Sequence, residues 1–194
     1  DYSDIVEEPF VRTSSVEKFS FYGNMLLNTG GELGFHGYNH MPLCMEGFDY
    51  MGLYDSYNLW KTKDDMKSAL QELQQFSQEL FPNETFTVYV PPSNILSEEG
   101  REVLIENWPE LRAIAATYLP GECGYEQEFE VAEDGIVETP RITSGTMFDN
   151  YYYMMAFSEL NFHFVQSHFM HPDDVLDEDR GAANGWSVMK ESLN

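Results

Sequence analysis

The sequence predicts an α/β fold. Two observations carry this: apolar residues recur at helical spacing in several segments, and each such segment gives way, through a Gly or Pro break, to a short β-branched and aromatic run. The first such pair is a helix over about Val16 to Asn28, with Phe19, Tyr22, Leu26 and Met25 towards one face, then Gly30-Gly31 and a strand through Phe35. The second helix spans about 63 to 81. Thr62 caps it, Met66, Leu70, Leu73, Phe76 and Leu80 recur every three or four residues, and Pro82-Asn83 stops it. Phe86-Thr-Val-Tyr-Val90 reads as its strand and runs into Pro91-Pro92. Ser97 opens a helix over roughly 98 to 107, and Ile114 to Leu119 follows as a strand ended by Pro120-Gly121.

Beyond this point the pattern changes. Residues 125 to 139 alternate apolar and charged around Asp134-Gly135, which predicts a hairpin with a two-residue turn. A helix is expected over Asp149 to Leu160. The alternation from Phe162 to Ser167 then predicts a last strand ending between His168 and His171. Residues 41 to 61 form a long connection crowded with aromatics, either a wall of a cleft or a self-packed loop.

The totals narrow the function classes. At 194 residues the chain is expected to form a single α/β domain, 1–194, with a sizeable core. It carries 34 acidic against 10 basic residues, a net charge of −24. That disfavours nucleic acid and anionic membrane surfaces, both of which require basic side chains. No run of 18 apolar residues offers a membrane span. Cys44 and Cys123 are far apart with no metal-ligand spacing around them, and read as two free thiols.

The chemistry concentrates in five histidines that fall in two clusters, His36 and His40 in one, His163, His168 and His171 in the other. Each cluster ends an apolar run. His36 and His40 are separated by Gly37 and followed by Pro42, so a strand that breaks into a turn suits them better than a helix. Two imidazoles brought together by such a turn suit a metal or acid/base site, and two unrelated loop residues would have the same spacing. Arg141 is the only basic residue between Arg112 and Arg180, which suggests either a carboxylate partner or a site role. Asn94 reads as a turn former or as a polar contact at the end of its strand.

Glu32-Leu33-Gly34-Phe35-His36-Gly37-Tyr38-Asn39-His40 resembles the second motif of the polysaccharide deacetylase (NodB-homology) superfamily, in its deacetylase-like bacterial branch. Glu32, Leu33, Gly34, His36 and His40 match. Gly37 stands where the family has Ser or Thr. The resemblance extends over roughly residues 16 to 190. It implies a (β/α) barrel, here partial or irregular, in which His36 and His40 bind Zn²⁺ or another divalent metal. The segment ending at His171-Pro172-Asp173-Asp174 is similar to the family's fifth motif. It implies His171 as the general acid, with His168 as the competing candidate and Asp173 to orient the ring. Pro91-Pro92 sits where a third motif would, but Tyr89 or Val90 stands in place of its Arg. Asn94, Arg141 and Tyr38 are then the candidate substrate contacts.

The family's Asp pair on a first strand is absent before His36, so the chain is expected to lack its first strand or strands. The implied activity is metal-dependent hydrolysis of an N- or O-acylated glycan, in an extracytoplasmic bacterial setting. The alternative is a non-catalytic module that binds carbohydrate or packs against other domains of a longer chain.

Overall fold

The structure is a computed structural model, and it describes residues 13–45, 60–116, 128–145, 149–171, 174, 187 and 189–191. The chain separates into two compact units, Asp1–Glu138 and Thr139–Asn194. Both are mixed α/β.

In the first unit, helix α1 (Thr13–Asn28) leads through Gly30 and Gly31 to the short extended segment at Phe35. Helix α2 (Lys63–Leu80) begins with a reciprocal cap. The Thr62 hydroxyl accepts the Asp65 backbone N–H, and the Asp65 carboxylate accepts the Thr62 N–H at 3.1 Å, so two otherwise orphaned donors are satisfied. Strand β1 (Val88–Tyr89) follows, then helix α3 (Glu98–Asn107), whose first turn is capped by the Ser97 hydroxyl accepting Gly100 N–H at 3.0 Å. Strands β2 (Ala113–Ile114), β3 (Glu130–Val131) and β4 (Val137–Glu138) complete the unit.

Phe35 bridges Tyr89 in parallel, β1 pairs β2 in parallel, and β2 pairs β4 in parallel. The strands therefore lie side by side in chain order, and β3 pairs antiparallel on the far side of β4. Among the described residues no closed barrel forms. The core lies between this sheet and the helices: Phe35, Met66, Leu70, Tyr89, Leu104, Trp108 and Ile114 are all buried together. Trp108 resolves its one polar atom by donating from Nε1 to Phe86 O at 3.1 Å. Of the predicted α2 stripe, Met66 and Leu70 reach this core, whereas Leu73, Phe76 and Leu80 are only half buried.

The hairpin differs from expectation by one residue. Ala132 N–H bonds Ile136 O at 2.9 Å and Gly135 N–H bonds Ala132 O at 2.8 Å, so the loop is Glu133-Asp134-Gly135. Gly135 takes φ 85° as the third loop residue, the left-handed position that closes a three-residue hairpin.

The second unit is a strand–helix–strand. Strand β5 (Thr143–Ser144) pairs in parallel with β6 (His168–Phe169) across helix α4 (Asn150–Phe162), which Asp149 caps by accepting Tyr152 N–H at 2.9 Å. The predicted strand from Phe162 is corrected here. The helix runs through Phe162, His163 N–H still bonds Glu159 O at 2.8 Å, and Phe164 turns the chain at φ 60°. Only His168 and Phe169 pair as strand. Apolar residues lie on every face of helix α4, so periodicity does not mark its end, and the Phe-His-Phe alternation mimics a strand.

Candidate metal and acid–base residues

The His36 and His40 rings meet edge to face, centroids 4.9 Å apart. The backbone brings them together. After Phe35 the chain enters a tight turn at Tyr38–His40, in which Met41 N–H returns to Tyr38 O at 2.9 Å and Asn39 and His40 take φ 49° and 58°. Four residues of chain are thereby folded back so that the second imidazole stands beside the first.

A parallel copy of this turn lies at the end of β1. In Pro92–Asn94, Ile95 N–H returns to Pro92 O at 3.0 Å, and Ser93 and Asn94 take φ 52° and 63°. The flanking residues pair in order, Phe35 with Tyr89 before the turns and Leu43 with Leu96 after them. Gly37, at φ 77°, is fixed by two independent facts: the left-handed backbone, and the absence of room, since a Cβ there would overlap Pro92 Cγ. This explains why Gly stands where the resembled motif carries Ser or Thr.

His36 Nδ1 is 2.7 Å from Val90 O. A carbonyl only accepts, so Nδ1 carries the proton, and in the neutral ring Nε2 holds the lone pair. This is the backbone support that metal-binding imidazoles commonly have, and it presents Nε2 as a donor atom. Both rings are exposed. Tyr38, between them in sequence, donates its hydroxyl to Glu72 Oε1 at 3.2 Å. Partial burial, with the Glu72 charge second, raises its phenol above the ordinary range. Asn94 contributes its backbone to the neighbouring turn. The two imidazoles fit two of the ligands a divalent metal takes. Among the described residues, no group of three or more His, Cys, Asp or Glu side chains is arranged to hold one.

In the second unit, both nitrogens of His168 are engaged by β5 and its exit. Nε2 lies 2.9 Å from Gly145 O and Nδ1 3.0 Å from Thr143 Oγ1. In the neutral ring, Nε2–H donates to the carbonyl and Nδ1 accepts from the hydroxyl. His171 is more open. Its side chain is half exposed, its ring meets Phe169 edge to face at 5.6 Å, and Nδ1 is 3.8 Å from Asp174 Oδ2. Asp174 also accepts the His171 backbone N–H at 2.8 Å, so this carboxylate orients the residue. Asp173 lies outside the described residues. His163 sits 3.7 Å from Glu159 on α4. Arg141 is buried with its guanidinium stacked 4.6 Å over the Phe169 ring, and burial lowers its pKa to about 10.

The whole chain, residues 1–194, matches a family described as "Uncharacterised protein conserved in bacteria (DUF2194)". The chain belongs to the DUF2194 family. No curated protein and no solved structure matches it. In this DUF2194 chain no helix of the described residues is long and apolar enough to cross a membrane. The aromatic connection of residues 41 to 61, read as a cleft wall or a self-packed loop, falls largely on residues 46–59, outside those described; Met45 and Trp60 on either side of these pair in parallel.

One charged group of the DUF2194 chain escaped the sequence reading. Glu138, at the end of β4, is 1% exposed and takes two bonds from Arg101 of α3, from Nε at 3.1 Å and Nη2 at 2.8 Å. Arg101 Nη1 holds Asp134 of the hairpin loop at 2.6 Å. The available signal was an acid closing the apolar run Ile136-Val137, where a charge is retained only with a partner.

Proposed function

We propose that the chain is a metal-dependent hydrolase domain of the deacetylase-like type, acting on an N- or O-acylated glycan. The observation that carries this reading is the His36–His40 pair, its rings edge to face at 4.9 Å, with His36 Nδ1 bound to Val90 O. His36 and His40 would hold the metal, Zn²⁺ or another divalent ion. Bound there, it would polarise an acyl carbonyl and lower the pKa of a coordinated water to ~7.

The remaining roles belong to the chain's own groups. Val90 O fixes the tautomer and angle of His36. Tyr38 and Asn94 border the histidine turn and its neighbour and would contact substrate; Arg141 keeps the substrate-contact role that the resemblance gives it. The general-acid role is the one the resemblance gives His171, with His168 as its competitor, and Asp174 orients His171 by accepting its backbone N–H. The chain-order parallel sheet, Phe35 segment, β1, β2, β4, supports a partial (β/α) barrel wall, since barrels wind singly in this way. An extracytoplasmic setting comes from the same resemblance.

The test is metal content. Elemental analysis and zinc titration of the metal-free protein should give one tight equivalent, lost in a His36→Ala, His40→Ala variant. Turnover of acetyl esters or N-acetylglucosamine oligomers by the zinc form should follow. Failure of the wild type to take up zinc sinks the hydrolase reading.

A second reading has its own support. At the place of the third-motif Arg stand Tyr89, whose side chain is 1% exposed and belongs to the core, and Val90, whose carbonyl is occupied by His36. That favours a non-catalytic module that binds carbohydrate, or packs against other domains of a longer chain. Saturable glycan binding without turnover, in zinc, would select it.

A further inference from the structure

An apolar groove reaches His36. It runs between α1 and α2, walled by Tyr22 and Leu26 on one side and Leu73 and Phe76 on the other, floored by Leu33, with His36 in its lining. Its volume is about 670 Å³, within the roughly 300–1,000 Å³ of small-molecule pockets. The α1 wall stands open, with Tyr22 55% and Leu26 50% exposed.

Charge and hydrogen bonding limit what fits. The chain has 34 acidic residues, yet among the described residues the groove lining contains none; its ionic groups there are Lys18 and His36. Two polar groups of its lining are already used: Ser77 donates to Gln74 O at 2.8 Å and His36 Nδ1 donates to Val90 O. A peptide laid here would bury backbone amides with few partners, which is costly. A second copy would bring another net charge of −24 against the first. A hydrocarbon tail brings no polar atoms, and a single carbonyl or carboxylate head suits the Lys18 ammonium.

We propose that this groove binds the tail of a medium- or long-chain acyl group, with its head at Lys18. That the acyl group is one the site hydrolyses rests on the metal-hydrolase reading; binding of the tail does not. The proposal makes the favoured glycan substrate one bearing a fatty acyl chain in place of an acetyl group.

The experiment is calorimetric titration of the whole chain, in EDTA and below micellar concentrations, with acetate, octanoate, decanoate and N-decanoylglucosamine. EDTA removes metal dependence, so absence of zinc binding leaves the result intact. Affinity should rise with chain length, by up to about fourfold for each buried CH₂, and acetate should give no heat. Leu26→Glu and, separately, Tyr22→Glu should each weaken decanoate binding at least tenfold; both positions are half exposed, and circular dichroism confirms that each variant is folded. Tighter binding of N-decanoylglucosamine than of decanoate identifies a sugar-borne chain, and the reverse a free fatty acid. Affinity independent of chain length, unchanged affinity in both folded variants, or a concentration-dependent dimer that Leu26→Glu dissolves would overturn the proposal.

Discussion

His40 and Asn94 close neighbouring strand-end turns with the same left-handed backbone, φ 58° and 63°. The histidine site is thus one half of a paired structure, and its geometry depends on how closely the two turns pack.

Gly37→Ala should destabilise the first unit by about 2 kcal/mol or more, because the new Cβ meets both an unfavourable φ and Pro92 Cγ. Urea unfolding measures this. In a Pro92→Ala background the overlap with the proline ring should vanish and the contact with Met41 O at 3.0 Å remain, so the double mutant should be less destabilised than the sum of the singles. Strict additivity would show that the turns do not press on one another.

The two C-terminal imidazoles should separate by variant. His168→Gln breaks bonds to Thr143 and Gly145 and should cost about 1–3 kcal/mol in stability. His171→Gln, half exposed, should change stability by about 0.5 kcal/mol or less. If the zinc form hydrolyses acyl substrates, His171→Gln should lower kcat while leaving zinc affinity unchanged.

The hairpin should respond to acid through Asp134. Hydrogen bonding to Arg101 holds its carboxyl below the ordinary value. A depressed carboxylate contributes stability that is complete above about pH 3.9, the unfolded value, and is lost as pH falls through the lower folded value. The stability gap between wild type and Asp134→Asn should therefore be constant near neutrality and close only below about pH 4. Glu138 works in the opposite direction, since burial, partly offset by Arg101, raises its carboxyl. Acid unfolding curves of the two proteins that stay parallel down to pH 2 would contradict the Asp134 assignment.

Cys44 should be inert in the folded protein. Burial pushes its thiol up to about 12, so at pH 8 only about one molecule in 10⁴ carries the reactive thiolate. In a Cys123→Ser variant, iodoacetamide should label Cys44 in urea and leave it untouched in native buffer. Native labelling at the rate of a free cysteine would mean that this part of the core opens readily.

Helices were legible where cap and period agreed. Ser97 and the apolar spacing after it predict the helix found at Glu98–Asn107, and Thr62 and Asp65 fix the start of α2. The end of α4 was not legible, because apolar residues on every face of the helix leave periodicity with little contrast. The meeting of His36 and His40 could be read from Gly37 and the strand break. The Val90 carbonyl that orients His36 could not, since any residue offers a carbonyl and only strand pairing decides which one arrives. Arg101 and Glu138 are likewise joined by the fold alone, through α3 packing on β4. At His171 the sequence offered two adjacent acids, and the turn geometry puts Asp174 beside the ring.

The antiparallel strand β3 has one more consequence. It is two residues long, sits at the outer edge of the first unit's sheet, and exposes both Glu130 and Val131. An edge with open backbone groups invites another chain to pair, and here brevity and negative charge discourage it. That protection is electrostatic in part. In acid the edge keeps its valine while the chain loses its net negative charge, so aggregation should begin at this strand before the core unfolds.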